Sequence, residues 1–150
     1  MIAVLKTITA GANFFFTPME VVKGSILLGV EAKAYPTYMV HAGTSGEDID
    51  HFVDQQYQEI FYPEVEGIVF DVNDVVTMIE KCVRDVRKAI DDDAASGAVG
   101  SLGQISLTKI KGPPDIELGA MANQATSVVG GFGWFSQKFQ VNIEGYPGGI

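Results

Sequence analysis

Two histidines, His41 and His51, flank a run of acids, and their types and spacing are where chemistry could be sought in this chain. With Glu47, Asp48, Asp50 and Asp54 between or beside them, they offer the imidazole nitrogens and carboxylate oxygens that a divalent metal takes. Their spacing matches no tetrahedral zinc pattern, and the run lacks the alternating acids and central glycine of a calcium loop. The reading is therefore solvated loop residues, with no metal and no cofactor. Ser45 lies near His41, as a nucleophilic triad requires. However, Gly43-Thr44-Ser45-Gly46 lacks the G-x-S-x-G elbow and the strand-to-helix turn that exposes its serine. Gly97, Gly100 and Gly103 follow a helical pattern and precede a strand, the reverse of the order that places phosphate on a helix N-terminus. No catalytic residue is assigned, and the chain reads as a non-enzyme.

Charge narrows the partners. Ten Lys and Arg against nineteen Asp and Glu give a formal charge of -9, which disfavours a general nucleic-acid surface. From Ala34 to Glu80 there is no Lys or Arg, yet ten acids: Glu47, Asp48, Asp50, Asp54, Glu59, Glu64, Glu66, Asp71, Asp74 and Glu80. Such a block is a solvated face, a surface for a basic partner, or a wall that lets polyanions pass without sticking. Cys82, the single cysteine, excludes an internal disulfide and falls on an apolar helical stripe as a buried structural thiol. Phe132, Trp134 and Phe135 could stack bases, but Lys138 is the nearest positive charge, so a core or subunit interface is the better reading.

The elements that must position these residues follow from periodicity. Val72, Val75 with Val76, Ile79, Cys82 with Val83, Val86 and Ile90 keep helical spacing, which predicts one long helix over about 71–92. Asp71 or Asn73 is its expected N-cap, with acids in the first turn. Asp91-Asp92-Asp93 opposes the dipole at the other end, where the helix should fray or stop. Tyr35 to His41 reads as a strand opened by a proline, and Val21 to Val30 as a strand or extended segment. Tyr57 to Phe70 reads as two strand pieces or one kinked strand, with Pro63 demoting its centre to an edge or bulge. Gly103 to Ile110 alternates as a strand with one wet face. From Trp134 on, Phe135, Phe139, Val141 and Ile143 point one way and Ser136, Lys138, Gln140, Asn142 and Glu144 the other. Residues 1–17 read as an arm or short helix, too short and too broken for a signal peptide or a membrane span. Residues 111–131 read as a long loop, and 145–150 as a flexible tail. At 150 residues the expectation is a single α+β domain: a small, mixed, mainly antiparallel sheet packed on one long helix, plus a short N-terminal helix.

In order, Tyr35-Pro36-Thr37-Tyr38-Met39-Val40, a strand near Val65–Val69, and a helix ending Arg84-Asp85-Val86-Arg87-Lys88-Ala89-Ile90-Asp91-Asp92-Asp93 are followed by Ile105–Ile110. A final Phe135-x-x-x-Phe139-x-Val141-x-Ile143 strand closes the pattern. This layout, over roughly residues 35–144, resembles the tail terminator or tail completion proteins of long-tailed bacteriophages. The D-V-x-x-A-I-x-x-D segment at the helix end is the closest local match, and residues 1–30 depart from the longer N-terminal helix usual there. The resemblance implies a virion protein, assembled in the host cytoplasm, that forms a homo-oligomeric ring, expected to be a hexamer. That ring caps the tail tube, ends its polymerisation and joins tail to head, with the tail-tube protein and a head-tail connector protein as partners. DNA passes through without specific binding, and no membrane is involved. On this reading Glu47, Asp48, Asp50, Asp54, Glu59, Glu64 and Glu66 form a lumen- or partner-facing acidic surface. Phe132, Trp134, Lys111, Pro113 and Pro114 would then serve a subunit interface. The competing expectations are another neck or head-tail connector ring, or a small cytosolic enzyme or ligand-binding domain built on the His41/His51 loop.

Overall fold

Alternating apolar residues at the end of the chain make its longest strand, and the other strands are arranged around it. A computed structural model describes residues 1–25, 34–41, 48–51, 57–95, 106–118 and 131–145, with side chains described for 1–25, 34–41, 62–93, 110–118 and 131–141. The elements run α1 (Ile2–Leu5), β1 (Glu20–Lys23), β2 (Thr37–His41), β3 (Asp48–His51), β4 (Tyr57–Phe61), β5 (Glu64–Asp71), α2 (Val75–Ala95), β6 (Ser106–Ile110), β7 (Asp115–Leu118) and β8 (Gly131–Gly145). The fold is α+β. One sheet has the order β1-β2-β5-β8-β4-β3, with β6 and β7 also on β8. All pairings are antiparallel except β1 with β2.

The 15-residue β8 is the spine. Along one side, β4 and β5 keep a single register from Tyr57↔Gly145 to Asp71↔Gly131. Pro63 breaks this line without creating an edge, because each piece is flanked on both sides: β5 by β2 and β8, β4 by β3 and β8. A proline removes a donor and keeps its acceptor, and the Pro63 carbonyl takes the Phe139 N–H at 2.9 Å. Along the other side of β8 run β6 and β7. Between Ile110↔Phe139 and Asp115↔Ser136 the outer chain has four residues, Lys111 to Pro114, against two on β8. Gly112, at φ 76°, takes up that excess in the left-handed region glycine favours. The expected long loop over 111–131 is therefore interrupted by β7; residues 119–130 lie outside the described residues. Gly145 is the last residue of β8 rather than the start of a tail, and 146–150 lie outside the described residues.

Helix α2 covers the sheet face carrying Tyr38, Val40, Val65, Val69, Phe135 and Phe139, all within the buried core. Close approach needs two glycines with no side chain. A Cβ on Gly67 would stand 2.1 Å from the Phe135 ring, and one on Gly133 would stand 2.4 Å from Ile79 Cδ1. Val75, Ile79, Cys82, Val86 and Ile90 are buried as their spacing predicts, but Val72 is 71% exposed, because the helix begins after it. The cap is Asp74, not Asp71 or Asn73: Asp74 accepts the Thr77 N–H at 3.0 Å and its hydroxyl at 2.6 Å. Asp71 instead accepts the N–H groups of Asn73 and Asp74, both at 2.7 Å, in a turn that precedes the helix. No acid sits in the first helical turn. At the far end the helix runs through Asp91-Asp92-Asp93 to Ala95, and Lys88 meets Asp92 one turn on at 2.7 Å, offsetting part of the dipole conflict.

The N-terminal arm packs on its own helix. Val4, Leu5 and Ile8 are buried, each contributing about 1.5–3 kcal/mol of apolar burial, which outweighs the cost of nucleating so short a helix. Further along, the Asp85 carboxylate accepts the Phe15 N–H at 3.0 Å and the Phe16 N–H at 2.9 Å. Lys81 and Arg84 stand over the Phe15 ring, and Lys88 over that of Phe14.

Candidate functional site

Strand alternation puts Thr37, Met39, His41, Glu64, Glu66, Ser136 and Lys138 on the sheet face turned away from α2. The register then gathers the polar ones. His41 is the cross-strand partner of Glu64, Glu64 that of Lys138, and Glu66 that of Ser136. His41 Nε2 lies 3.1 Å from Glu66 Oε1 and 3.4 Å from Glu64 Oε2. Ser25 donates its hydroxyl to Glu66 Oε1 at 2.7 Å, Ser136 donates to Glu64 Oε2 at 3.4 Å, and Lys138 Nζ stands 3.7 Å from Glu64 Oε1. Although this face points away from the helix, it is not wet. Glu66 is 1% exposed and Glu64 7%, so two carboxylates are held out of water and depend on these partners. Lys138 is the outermost of the set, followed by His41. His41 borders a depression of about 440 Å³ shared with Met1, Ile2, Ala3, Lys23, Val40 and Pro63.

This arrangement corrects the expected acidic surface at two positions. Glu64 and Glu66 are interior residues of a hydrogen-bonded cluster, because even-numbered positions of β5 face a covered layer. Asp48 and Asp50 lie on β3 and Glu59 on β4, with only their backbones described; Glu47 and Asp54 lie outside the described residues. The structure also separates the two histidines by partner. His41 meets the acids of β5, and His51 pairs in register with Tyr57 on β4. The His41–Glu64–Glu66 set was missed in sequence because its members lie on strands joined only by register. The one available signal was the alternation of Glu64 and Glu66 around a single intervening residue.

The interface candidates occupy several environments. Phe132 is 39% exposed and packs edge-on against Tyr35, with ring centroids 5.4 Å apart, and against Phe70 at 4.8 Å. Trp134 is half-buried beside them on β8. Lys111 and Pro113 are exposed and Pro114 is partly so, and Lys111 Nζ sits 3.5 Å from the centroid of the Tyr62 ring. Gln137, which drew no functional reading, is fully buried. It accepts from Arg87 at 2.6 and 2.9 Å and donates to the carbonyls of Gly112 and Lys138, tying α2 to the bulge between β6 and β7.

Electrostatics elsewhere argue for structure. Burial pushes the Cys82 thiol up to about 12, which leaves it un-ionised and unreactive at neutral pH. The Tyr38 hydroxyl beside it is also raised by burial, and it lies near the thiol without meeting hydrogen-bond geometry. Desolvation raises the Asp85 carboxyl, opposed by the Phe15 and Phe16 N–H donors. Among the described residues no helix is long and apolar enough to cross a membrane. No family model and no curated protein sequence matches the chain.

Proposed function

We propose that this chain is a structural subunit of a bacteriophage tail, whose copies join edge to edge in a ring that caps the tail tube, ends its polymerisation and joins tail to head. The observation that carries the reading is the apolar edge at β7. Ile116 is 48% exposed and Leu118 38%. Leu118 stands opposite Gly133, on the face where Val75 and Ile79 of α2 meet that glycine, so strand and helix residues border the same corner. Apolar side chains gathered at an unpaired edge mark a contact with another chain.

Among the described residues β1, β3, β6 and β7 each pair with one neighbour, so the sheet presents several unlike edges, β7 and β1 among them. Unlike edges favour a head-to-tail contact, and such contacts close into rings when the rotation permits. The sequence layout, which resembles that of tail terminator proteins, supports the same reading, as does a net charge of -9, which would let DNA pass a lumen without being trapped.

The test is the mass of the purified chain in solution, alone and mixed with a tail-tube subunit, by light scattering or native mass spectrometry. A ring of subunits, or a monomer that assembles on the tube, supports the proposal. A monomer indifferent to the tube sinks it, and assembly only with a head-side connector would move the chain to another ring of the neck.

A further inference from the structure

The geometry points to a binding site for a first-row divalent cation, with zinc as its probe, formed by His41 Nε2, Glu64 Oε2 and Glu66 Oε1. These three donor atoms all lie within 4.8 Å of one another. Two donors on a tetrahedral zinc ion with bonds of about 2.0–2.1 Å stand about 3.3–3.4 Å apart. His41 Nε2 is 3.4 Å from Glu64 Oε2 and 3.1 Å from Glu66 Oε1, so an ion could enter with small side-chain adjustments in place of the present hydrogen bonds.

Two further observations favour an ion over a plain polar cluster. The donors stand on paired strands, with His41 directly opposite Glu64, so the backbone holds them in place before any ligand arrives. The oxygens are oriented from behind. Ser25 holds Glu66 at 2.7 Å and Ser136 reaches Glu64 at 3.4 Å, the outer-shell support that metal ligands usually carry. One imidazole and two carboxylates suit zinc and its first-row neighbours; calcium and magnesium prefer oxygen alone. Water completes the coordination, and the ion clamps β2 to β5. The inference is independent of ring formation.

The full-length chain, stripped with a chelator, is titrated with zinc by calorimetry, and ion content after dialysis is measured by mass spectrometry. One ion per chain is expected, with the ring resonances of His41 moving on zinc addition and those of His51 staying still. Calcium should move neither. Glu66→Gln and His41→Gln should abolish the stoichiometric site, and Ser25→Ala, which removes only the outer-shell bond, should weaken it by about 10–100-fold. Failure to take up zinc overturns the site. So does uptake that persists unchanged in folded His41→Gln, or a shift confined to His51, since the ion would then sit elsewhere on the acidic chain. Should the substitutions prevent folding, the histidine resonances of the unmodified chain decide alone.

Discussion

At the scale of single residues, the acids of this chain act with opposite signs on stability. Asp74 is held below the ordinary carboxyl range, first by the Thr77 hydroxyl and then by the Thr77 N–H. Asp71 is lowered by the N–H groups of Asp74 and Asn73. A lowered folded value means the unfolded chain binds protons more readily, so the stability these groups contribute is present above the unfolded carboxyl value. It is lost as pH falls through the lowered one. Asp85 runs the other way: raised chiefly by desolvation, its ionised form is the strained one, relieved as pH falls through its raised value. The Asp74→Ala variant should therefore melt below the parent at neutral pH, with the gap closing on acidification as the parent's cap is protonated. Melting curves from neutral pH down past the carboxyl range check this, and a gap independent of pH would show that the loss is not electrostatic. Residue types alone marked a cap near position 71. They favoured Asp71 or Asn73 over Asp74, although all three side chains can cap, because the choice rests on where the first helical N–H groups point.

At the scale of elements, the long helix and the final strand were legible because their periods of 3.6 and 2 are uninterrupted over many residues. The short strands were less so. The four residues of β7 follow Gly112-Pro113-Pro114, and a stretch so short between turn residues carries little periodic signal. Pairing is what makes it a strand. The same holds for the candidate site: Glu64 and Glu66 looked like members of a solvated acidic run, and only the β2–β5 register shows them facing His41 under cover. Gly67 depends on pairing too, since it gives way to Phe135, its neighbour across the strands. Adding a methyl there places a carbon within 2.1 Å of a ring that is itself fully buried. Gly67→Ala should cost about 1–3 kcal/mol or more by overpacking, with no change in the backbone's allowed conformation. Denaturant unfolding of Gly67→Ala measures it, and the double variant Gly67→Ala with Phe135→Leu should recover part of the loss. A neutral single substitution would mean that the ring moves aside freely and that the α2–sheet packing is looser than described.

At the scale of the whole molecule, burial on both faces of the sheet leaves its edges as the natural places to meet other chains. One face is closed by α2. The other holds Met39 and Glu66 almost without exposure, and among its described residues the exposed large apolar side chain is Phe132 at 39%. The edge at β7 differs, with Ile116 and Leu118 exposed on a strand whose outer side is unpaired among the described residues. Substituting both by lysine adds two like charges at the proposed contact and removes its apolar area, while touching nothing in the core. The lysine pair Ile116→Lys with Leu118→Lys should keep the melting behaviour of the isolated subunit and abolish ring formation, leaving monomer in light scattering at concentrations where the parent assembles. Edge strands in monomeric proteins are commonly guarded by just such charges, and here Asp115 and Glu117 already flank the apolar pair. Those acids would limit pairing with an identical acidic edge and favour a chemically different edge, such as β1, as the complement. That asymmetry would favour the proposed closed ring over a two-fold dimer, so a lysine variant that still assembles would place the contact somewhere other than β7.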